Sequence, residues 1–413
     1  MLNILELFAG CGGLLDGFKQ TGHYHLLSAI EWEKPQVNTL IQRLESKYQI
    51  TDAKNRVLHF DIQRVNELIF GWKNDPKFGS HNGLQSIIGN QKVDIITGGP
   101  PCQAYSMAGR VQDKNGMKDD YRNFLFESYI ALVAHYRPKM IVFENVEGIL
   151  TAIPTGEKII DLIKKAFNEV GYEIIDDLKQ FALLDLSDFG VPQKRKRVII
   201  IGIRKDNKNI NYQTELKVFY QLLSEKKVTQ KSTVKDAIFD LPPIYPLKEQ
   251  TKKNAYDNNN QINGHCSRFH SVRDQEIFYE LATDIELQEF KYLSAENLIQ
   301  LYYDKTGKTT KVHKYYVLRW DEPSNTIPAH LKKDGLRHIH PDPKQKRSIT
   351  VREAARLQSF DDDFLFNESM VANFEMIGNA VPPKFAKILA QTIYDFYHQL
   401  IQKEQNYLTE KSA

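Results

Sequence analysis

The chain has 413 residues, 41% of them hydrophobic and 26% charged, which is the balance of a folded globular protein and excludes a disordered or membrane-embedded one. Its formal net charge of +3 is too small to argue for nucleic acid by itself. Its three cysteines, Cys11, Cys102 and Cys266, are odd in number and far apart, which excludes a disulfide framework and suits a reducing, cytoplasmic setting.

No apolar run is long enough to span a bilayer, so no membrane partner is expected. The first strand candidate begins so near Met1 that neither a signal peptide nor a regulatory region is expected ahead of it. The length suits one large α/β domain plus a smaller one. Ile4–Phe8 reads as a short strand running into Ala9-Gly10-Cys11-Gly12-Gly13, after which Leu14, Leu15 and Phe18 follow at helical spacing. Strand, glycine turn and helix open a doubly wound sheet, although the turn does not spell G-x-G-x-x-G and is equally readable as a tight turn without a ligand. Leu26–Ile30 is the second strand and ends in Glu31-Trp32. An acid there can accept from both hydroxyls of a ribose, and the indole beside it can cover an adenine face. Gln36–Leu44 reads as a helix and Val57–Phe60 as a third strand. Asp61 at its end is either an acceptor for an exocyclic amine or the N-cap of a helix over Ile62–Phe70. Residues 71–92, rich in Gly, Asn and Lys, are expected to form a loop without a role.

Val93–Thr97 is the next buried strand, and it delivers Gly98-Gly99-Pro100-Pro101-Cys102-Gln103. Two glycines turn the chain, and two prolines fix φ near about −65°. The thiol of Cys102 is thereby presented at the carboxyl edge of a central strand, where open α/β sheets keep their chemistry. An inert, buried cysteine is the competing reading. A stretch without periodicity follows, containing Ser106, Arg110 and Gly116, and is expected to act as a lid. Tyr121–Tyr136 reads as a helix, Met140–Phe143 as a strand with Glu144-Asn145-Val146 after it, and Glu157–Val170 as a helix. Gln193, Arg195 and Arg197 alternate along one side of the approach to the strand Val198–Ile203. Farther on, Lys305, Lys308, Lys311 and Lys314 recur between Tyr302-Tyr303 and Tyr315-Tyr316, a pattern that suits phosphate contact and base stacking, or else a solvated loop. His338 and His340 have no acid or cysteine at ligand spacing, and no metal is expected.

Taken in order, six stretches carry a resemblance: Phe8-Ala9-Gly10-Cys11-Gly12-Gly13, Pro100-Pro101-Cys102-Gln103, Glu144-Asn145-Val146, Gln193-x-Arg195-x-Arg197, Arg352-Glu353-Ala354-Ala355-Arg356-Leu357-Gln358 and Gly378-Asn379-Ala380-Val381-Pro382-Pro383. The chain resembles the DNA (cytosine-5) methyltransferases of bacterial restriction–modification systems. The resemblance implies an α/β class I S-adenosylmethionine-dependent methyltransferase fold, a Rossmann-like doubly wound sheet with a second, smaller target-recognition domain. It implies a catalytic and cofactor-binding domain over 1–204, target recognition over 205–345, and a C-terminal part, 346–413, that returns to the catalytic domain with a helix over Phe385–Leu400.

The implied cofactor is S-adenosyl-L-methionine. Carried over residue by residue, Phe8, Gly10, Cys11, Gly12 and Gly13 line its methionine end, Glu31 takes the ribose, Trp32 and Ile62 the adenine faces, and Asp61 the adenine amine. Pro101, Leu125, Asn379 and Val381 complete that pocket. The implied partners are double-stranded DNA and a paired restriction endonuclease, with the enzyme itself a monomer. Ser106, Arg110, Gln193, Lys311, Arg319 and Arg337 are the candidates for DNA contact.

The chemistry asks for a nucleophilic C5 on a ring that offers almost none. A thiolate added at C6 leaves an enamine-like adduct at C5, and Cys102 is the candidate nucleophile. Arg195 and Arg197 supply a positive field that favours the thiolate, and one of them holds the cytosine O2. The resemblance gives Glu144 the task of holding a proton on N3, and the target base has to leave the duplex. A tRNA cytosine-5 methyltransferase with the same core and a catalytically dead nucleic-acid-binding homologue are the rivals. The long insert favours duplex DNA, and the intact Cys102, Glu144 and arginine pair favour activity.

Overall fold

Among the described residues ten strands carry the architecture: Leu2–Leu7 (β1), Tyr24–Glu31 (β2), Val57–His59 (β3), Trp72–Asp75 (β4), Gly79–His81 (β5), Ile95–Gly98 (β6), Met140–Val146 (β7), Tyr172–Ile174 (β8), Leu183–Asp185 (β9) and Lys196–Arg204 (β10). The computed structural model describes residues 1–101, 125–153 and 156–409. The main sheet runs β3-β2-β1-β6-β7-β10-β8, with β9 on β10. β1, β2, β3, β6 and β7 are parallel, whereas β10 runs antiparallel to both β7 and β8. The central strands are near-continuous apolar runs because a parallel sheet is covered on both faces; Ile4, Leu5, Ile95, Ile96, Met140, Ile141 and Val142 are all fully buried. From β1 the chain winds outward through β2 and β3, then returns to the other side of β1 with β6. The order therefore reverses between β1 and β6, where open α/β sheets hold their ligands. Leu7 pairs with Gly98 at that point, so the glycine turn after β1 and the Gly99-Pro100-Pro101 turn after β6 leave the sheet side by side.

Two elements differ from expectation. Residues 71–92 are not a loop: β4 and β5 pair as an antiparallel hairpin and Gly83–Ile88 forms a helix. The polar composition of the stretch hid the anchors Trp72 and Leu84, which are buried. The strand expected over Met140–Phe143 continues to Val146, because Arg197 to Ile203 of β10 pair along its whole length.

Contacts divide the chain into two units, Met1–Phe189 with Lys196–Val228 and Val381–Ala413, and Gly190–Arg195 with Thr229–Ala380. The division departs from the expected 205–345 insert at both ends. The helix Tyr212–Ser224 belongs to the first unit, where the Tyr220 hydroxyl donates to the Ile199 carbonyl at 2.8 Å and Phe219 meets Phe396 at 5.4 Å. Residues 346–380 belong to the second unit. The C-terminal helix Pro383–Thr409 packs in the first, where Tyr24 donates to the Ala390 carbonyl at 2.6 Å. No helix among the described residues is long and apolar enough to cross a membrane.

Among the described residues the second unit has only isolated β-bridges outside its helices, and its apolar core gathers Ile277, Phe278, Leu281, Leu298, Tyr315, Val317 and Ile339. Beside that core lies a buried polar cluster. Glu353 caps its own helix with Thr350 and takes both Arg347 Nη atoms at 2.7 Å. Burial alone would raise its carboxyl, but Arg347 and His340 outweigh burial and hold it below the usual carboxylate range. Burial pushes His270, His338 and His340 down to about 3.

This arrangement fixes the sign of a pH dependence. The folded state keeps these imidazoles neutral, while the unfolded chain binds protons below about pH 6.5. Stability is then full above that pH and falls as pH drops from about 6.5 toward 3, each such histidine adding up to about 1.4 kcal/mol per pH unit to the slope. Glu353 adds a further loss below about pH 4.3, where its unfolded form protonates. Urea unfolding of the second unit, followed through Trp320, is expected to shift to lower urea between about pH 7 and about pH 5. A flat midpoint across that interval would contradict burial of neutral histidines.

Candidate active site

Glu144 is placed by strand pairing. It lies opposite Ile199 on β10, and Val146 lies opposite Arg197, so the Arg197 side chain is the diagonal neighbour of Glu144 on one face of the sheet. The Arg197 Nε sits 2.9 Å from Glu144 Oε1, with both side chains nearly buried. A second guanidinium nitrogen of Arg197, Nη1, donates to the Lys196 carbonyl at 2.7 Å and steadies the fork. The other carboxylate oxygen of Glu144 faces the turn after β6: a Cβ built on Gly99 would stand 2.6 Å from Glu144 Oε2. Next to it, Asn145 is buried and its amide donates to the Pro100 carbonyl at 3.3 Å. The last residues before Cys102 are thus held from two adjacent positions of β7. Sequence reasoning had named Gly99 and Asn145 only as parts of motifs; their tasks follow from sheet register, which no local pattern reveals. Pro101 is exposed. Cys102, Ser106 and Arg110, together with the expected lid, lie outside the described residues.

The two arginines separate. Arg195 is 1% exposed in the second unit, where Nη1 donates to the Ile327 carbonyl at 3.0 Å and Nη2 to the Gly378 and Ala380 carbonyls at 2.9 and 3.0 Å. These Arg195 donors are committed to backbone carbonyls, which speaks against the expected place of Arg195 at the reacting base. Gln193, expected to touch DNA, is fully buried and has no surface to offer. Its amide donates to the Leu357 carbonyl at 3.3 Å and to Gln358, and its oxygen accepts from Ile327 N–H at 2.9 Å. Alternation of the three residues was legible; that the first two point into a folded interior was not.

At the neighbouring turn, Phe8, Gly10 and Gly12 have φ of 55°, 59° and 89°, in the left-handed region that only glycine enters freely. The turn is closed by Ala9 N–H donating to Ile30 O at 2.9 Å and Gly12 N–H to Ala9 O at 2.9 Å, and Gly13 starts the helix Gly13–Gln20. Glu31 ends β2 and ties the same turn down: Oε2 accepts from Gly10 N–H at 2.7 Å and Oε1 from Glu33 N–H at 2.8 Å. Burial pushes its carboxyl up, against the lowering effect of those backbone N–H groups. Burial also pushes the Cys11 thiol up, which makes Cys11 a lining group and a poor nucleophile. Trp32 is 42% exposed, so part of its indole is open beside the acid. Asp61 is half-buried, and one oxygen accepts from Gln63 N–H at 3.0 Å in a local turn; it is not the N-cap of the helix expected over Ile62–Phe70, because that helix starts later, over Val65–Phe70, with Arg64 at its N-cap. Ile62 and Leu125 are buried, as is Val381. Asn379 ends the helix Met370–Asn379 of the second unit and is exposed. Glu31 with a strained glycine turn on one side and a partly open indole on the other is a donor and acceptor set that fits a nucleoside bearing a short polar chain.

In the second unit Lys311 and Arg337 are exposed, and Arg319 lies 5.8 Å from the Tyr316 ring centroid. Lys305 is paired with Glu280 at 2.9 Å and Lys314 lies over Tyr302, so half of the lysine series already has partners. His338 and His340 are structural: His338 Nε2 meets the Thr326 carbonyl at 3.2 Å, and His340 Nδ1 accepts from Asp342 N–H at 3.1 Å.

Comparison with known proteins places the chain among its relatives. Residues 2–395 match the family model described as C-5 cytosine-specific DNA methylase. Over 95% of its length the chain is 32% identical to the type II methyltransferase M.Bpa9945I of Bacillus paralicheniformis, covering 98% of that protein. It is 31% identical to the type II methyltransferase M1.HphI of Haemophilus parahaemolyticus, across 95% of this chain and 86% of the relative. Among solved structures, an E. coli prophage protein described as a DNA modification methyltransferase superposes with a TM-score of 0.62 at 25% identity, covering 96% of this chain and all of that one. The Dnmt2 methyltransferase of S. pombe shares the fold at a TM-score of 0.53 and 14% identity, across 97% of this chain and 99% of that one.

Proposed function

The chain belongs to the C-5 cytosine-specific DNA methylases, and from that membership we propose that it moves a methyl group from S-adenosyl-L-methionine to C5 of a cytosine flipped out of duplex DNA, in a fixed sequence context. The observation that carries the mechanism is the Glu144–Arg197 pair closed against Gly99, at the carboxyl end of the strand that leads to Cys102.

The thiolate of Cys102 adds to C6, forming the S–C6 bond and moving the ring electrons toward N3 and C5. Glu144 holds a proton on N3 as charge develops there, and Arg197 keeps the carboxyl group in place and faces O2. When bound, S-adenosyl-L-methionine would supply the electrophilic methyl group to C5, its S–CH3 bond breaking to leave S-adenosyl-L-homocysteine. The C5 proton then leaves to water, the S–C6 bond breaks, and the thiolate and aromatic ring are restored. Glu31 holds the ribose hydroxyls, Trp32 and Ile62 flank the adenine, and the turn from Phe8 to Gly13 with Leu125 and Val381 surrounds the rest. Lys311, Arg319 and Arg337 contact the DNA. Because the relatives compared above are named type II methyltransferases, a paired endonuclease is the proposed biological counterpart.

Methyl transfer to duplex DNA and to tRNA, measured side by side with labelled cofactor, tests the reading. DNA is expected to be labelled, and bisulfite sequencing to place 5-methylcytosine in one recurring context. Labelling of tRNA alone, or of neither, would overturn it.

A further inference from the structure

We propose that Lys77, at the tip of the β4–β5 hairpin, is a positioning residue for the cofactor's adenine: it braces the indole of Trp32 from one face so that the rest of the ring is held ready for the base. The inference rests on the cofactor reading above and adds to it an element outside the recurring motifs.

Trp32 leaves the sheet at the end of β2 with 42% of its surface exposed, and a bare indole at a strand end would sample several rotamers. The hairpin limits that freedom. The Lys77 ammonium stands 3.3 Å from the Trp32 ring centroid, a cation–π contact at close range. Phe78 meets the same indole at 5.6 Å and 60°. His59 Nε2 approaches the Trp32 carbonyl at 2.9 Å, and the His59 ring meets Phe78 at 5.0 Å.

The tip that carries Lys77 is itself built to stay put. Asp75 Oδ1 accepts from the N–H groups of Lys77 and Phe78 at 2.8 and 2.9 Å, and Asp75 Oδ2 takes Arg64 at 2.5 Å. The Arg64 guanidinium lies 4.7 Å from the Phe60 centroid, and Trp72 stacks on Phe60 at 3.8 Å. Trp72 Nε1 donates to the Phe78 carbonyl at 3.2 Å. Phe60 follows directly on β3, so the hairpin runs from the third strand to the residue that flanks the adenine. With one indole face under Lys77, the opposite face and the ring edge are what remain for the base.

The test uses the full chain with duplex DNA. Lys77→Met is expected to raise KM for S-adenosyl-L-methionine on the order of tenfold, with kcat and KM for DNA changed by less than about twofold. Lys77→Arg, which keeps a cation over the ring, should restore KM to within about threefold. In a Trp32→Leu background Lys77→Met should add nothing, since the brace then has no ring to hold. An unchanged KM overturns the proposal, as does a lowered one, which would mean that Lys77 occupies the face the adenine needs. Glu31→Ala separates the two levels. If it abolishes cofactor binding while Lys77→Met changes nothing, only the brace fails; if neither variant affects binding of S-adenosyl-L-homocysteine, the cofactor site itself is wrongly placed.

Discussion

Cys102→Ser is expected to reduce methyl transfer by at least about 10⁴-fold while leaving cofactor affinity unchanged. Serine keeps the size of the side chain and the two prolines ahead of it, so the change isolates the atom that attacks. A thiol near neutral pH has an accessible anion, whereas an alkyl hydroxyl has almost none. Without addition at C6 the ring never acquires an enamine-like C5, and neither Glu144 nor Arg197 can substitute for the missing S–C6 bond. Single-turnover transfer with labelled cofactor measures the loss, and equilibrium binding of S-adenosyl-L-homocysteine checks the rest of the site. Residual transfer above about a tenth of the native rate would sink covalent catalysis by this residue. A trapped adduct with DNA carrying a C5-substituted cytosine should also disappear in the variant.

What the sequence disclosed and what it hid divide along the range of the interactions. The alternation of strands and helices in the first half was legible because each apolar run is bounded by Gly, Pro or an acid, as at Leu7–Gly13 and Ile30–Glu33. The candidate site could be nominated as a set of residue types, since a thiol after two prolines and an acid after a buried strand are unusual. Which groups touch was not legible, because it depends on register between strands far apart in sequence. Glu144 meets Arg197 only because β10 inserts antiparallel beside β7, and an antiparallel strand in a mostly parallel sheet leaves no local mark. Gln193 and Arg195 show the same limit from the other side. Their polarity suggested a surface, yet carbonyls of residues 327, 357, 378 and 380 accept from them in the interior of the second unit. The hairpin was missed because Asn74, Asp75, Pro76 and Gly79 read as loop punctuation, although a Trp and a Phe spaced around such a turn are also what a short hairpin with one packed face needs.

Gly99→Ala is expected to lower kcat on the order of 10²-fold without unfolding the protein. The added methyl would stand 2.6 Å from Glu144 Oε2 and 3.5 Å from the Glu144 carbonyl oxygen. The second separation is ordinary contact, so the backbone need not move. The first is impossible, and the atom that must give way is the end of a side chain, which can swing. The fold therefore accommodates the substitution easily while the carboxylate cannot keep its place. Swinging the carboxylate breaks the 2.9 Å approach of Arg197 and moves the group proposed to hold the proton on N3 by a distance comparable to a hydrogen-bond tolerance. The result should resemble Glu144→Gln in turnover, with KM for cofactor retained and the melting temperature within a few degrees of native. Glu144→Asp in the Gly99→Ala background should recover part of the lost rate, because the shorter acid clears the new methyl. If Gly99→Ala keeps full turnover, or if its loss tracks a fall in stability, then Gly99 is only a bend in the chain and the closure of Glu144 against that turn is not what orients the acid.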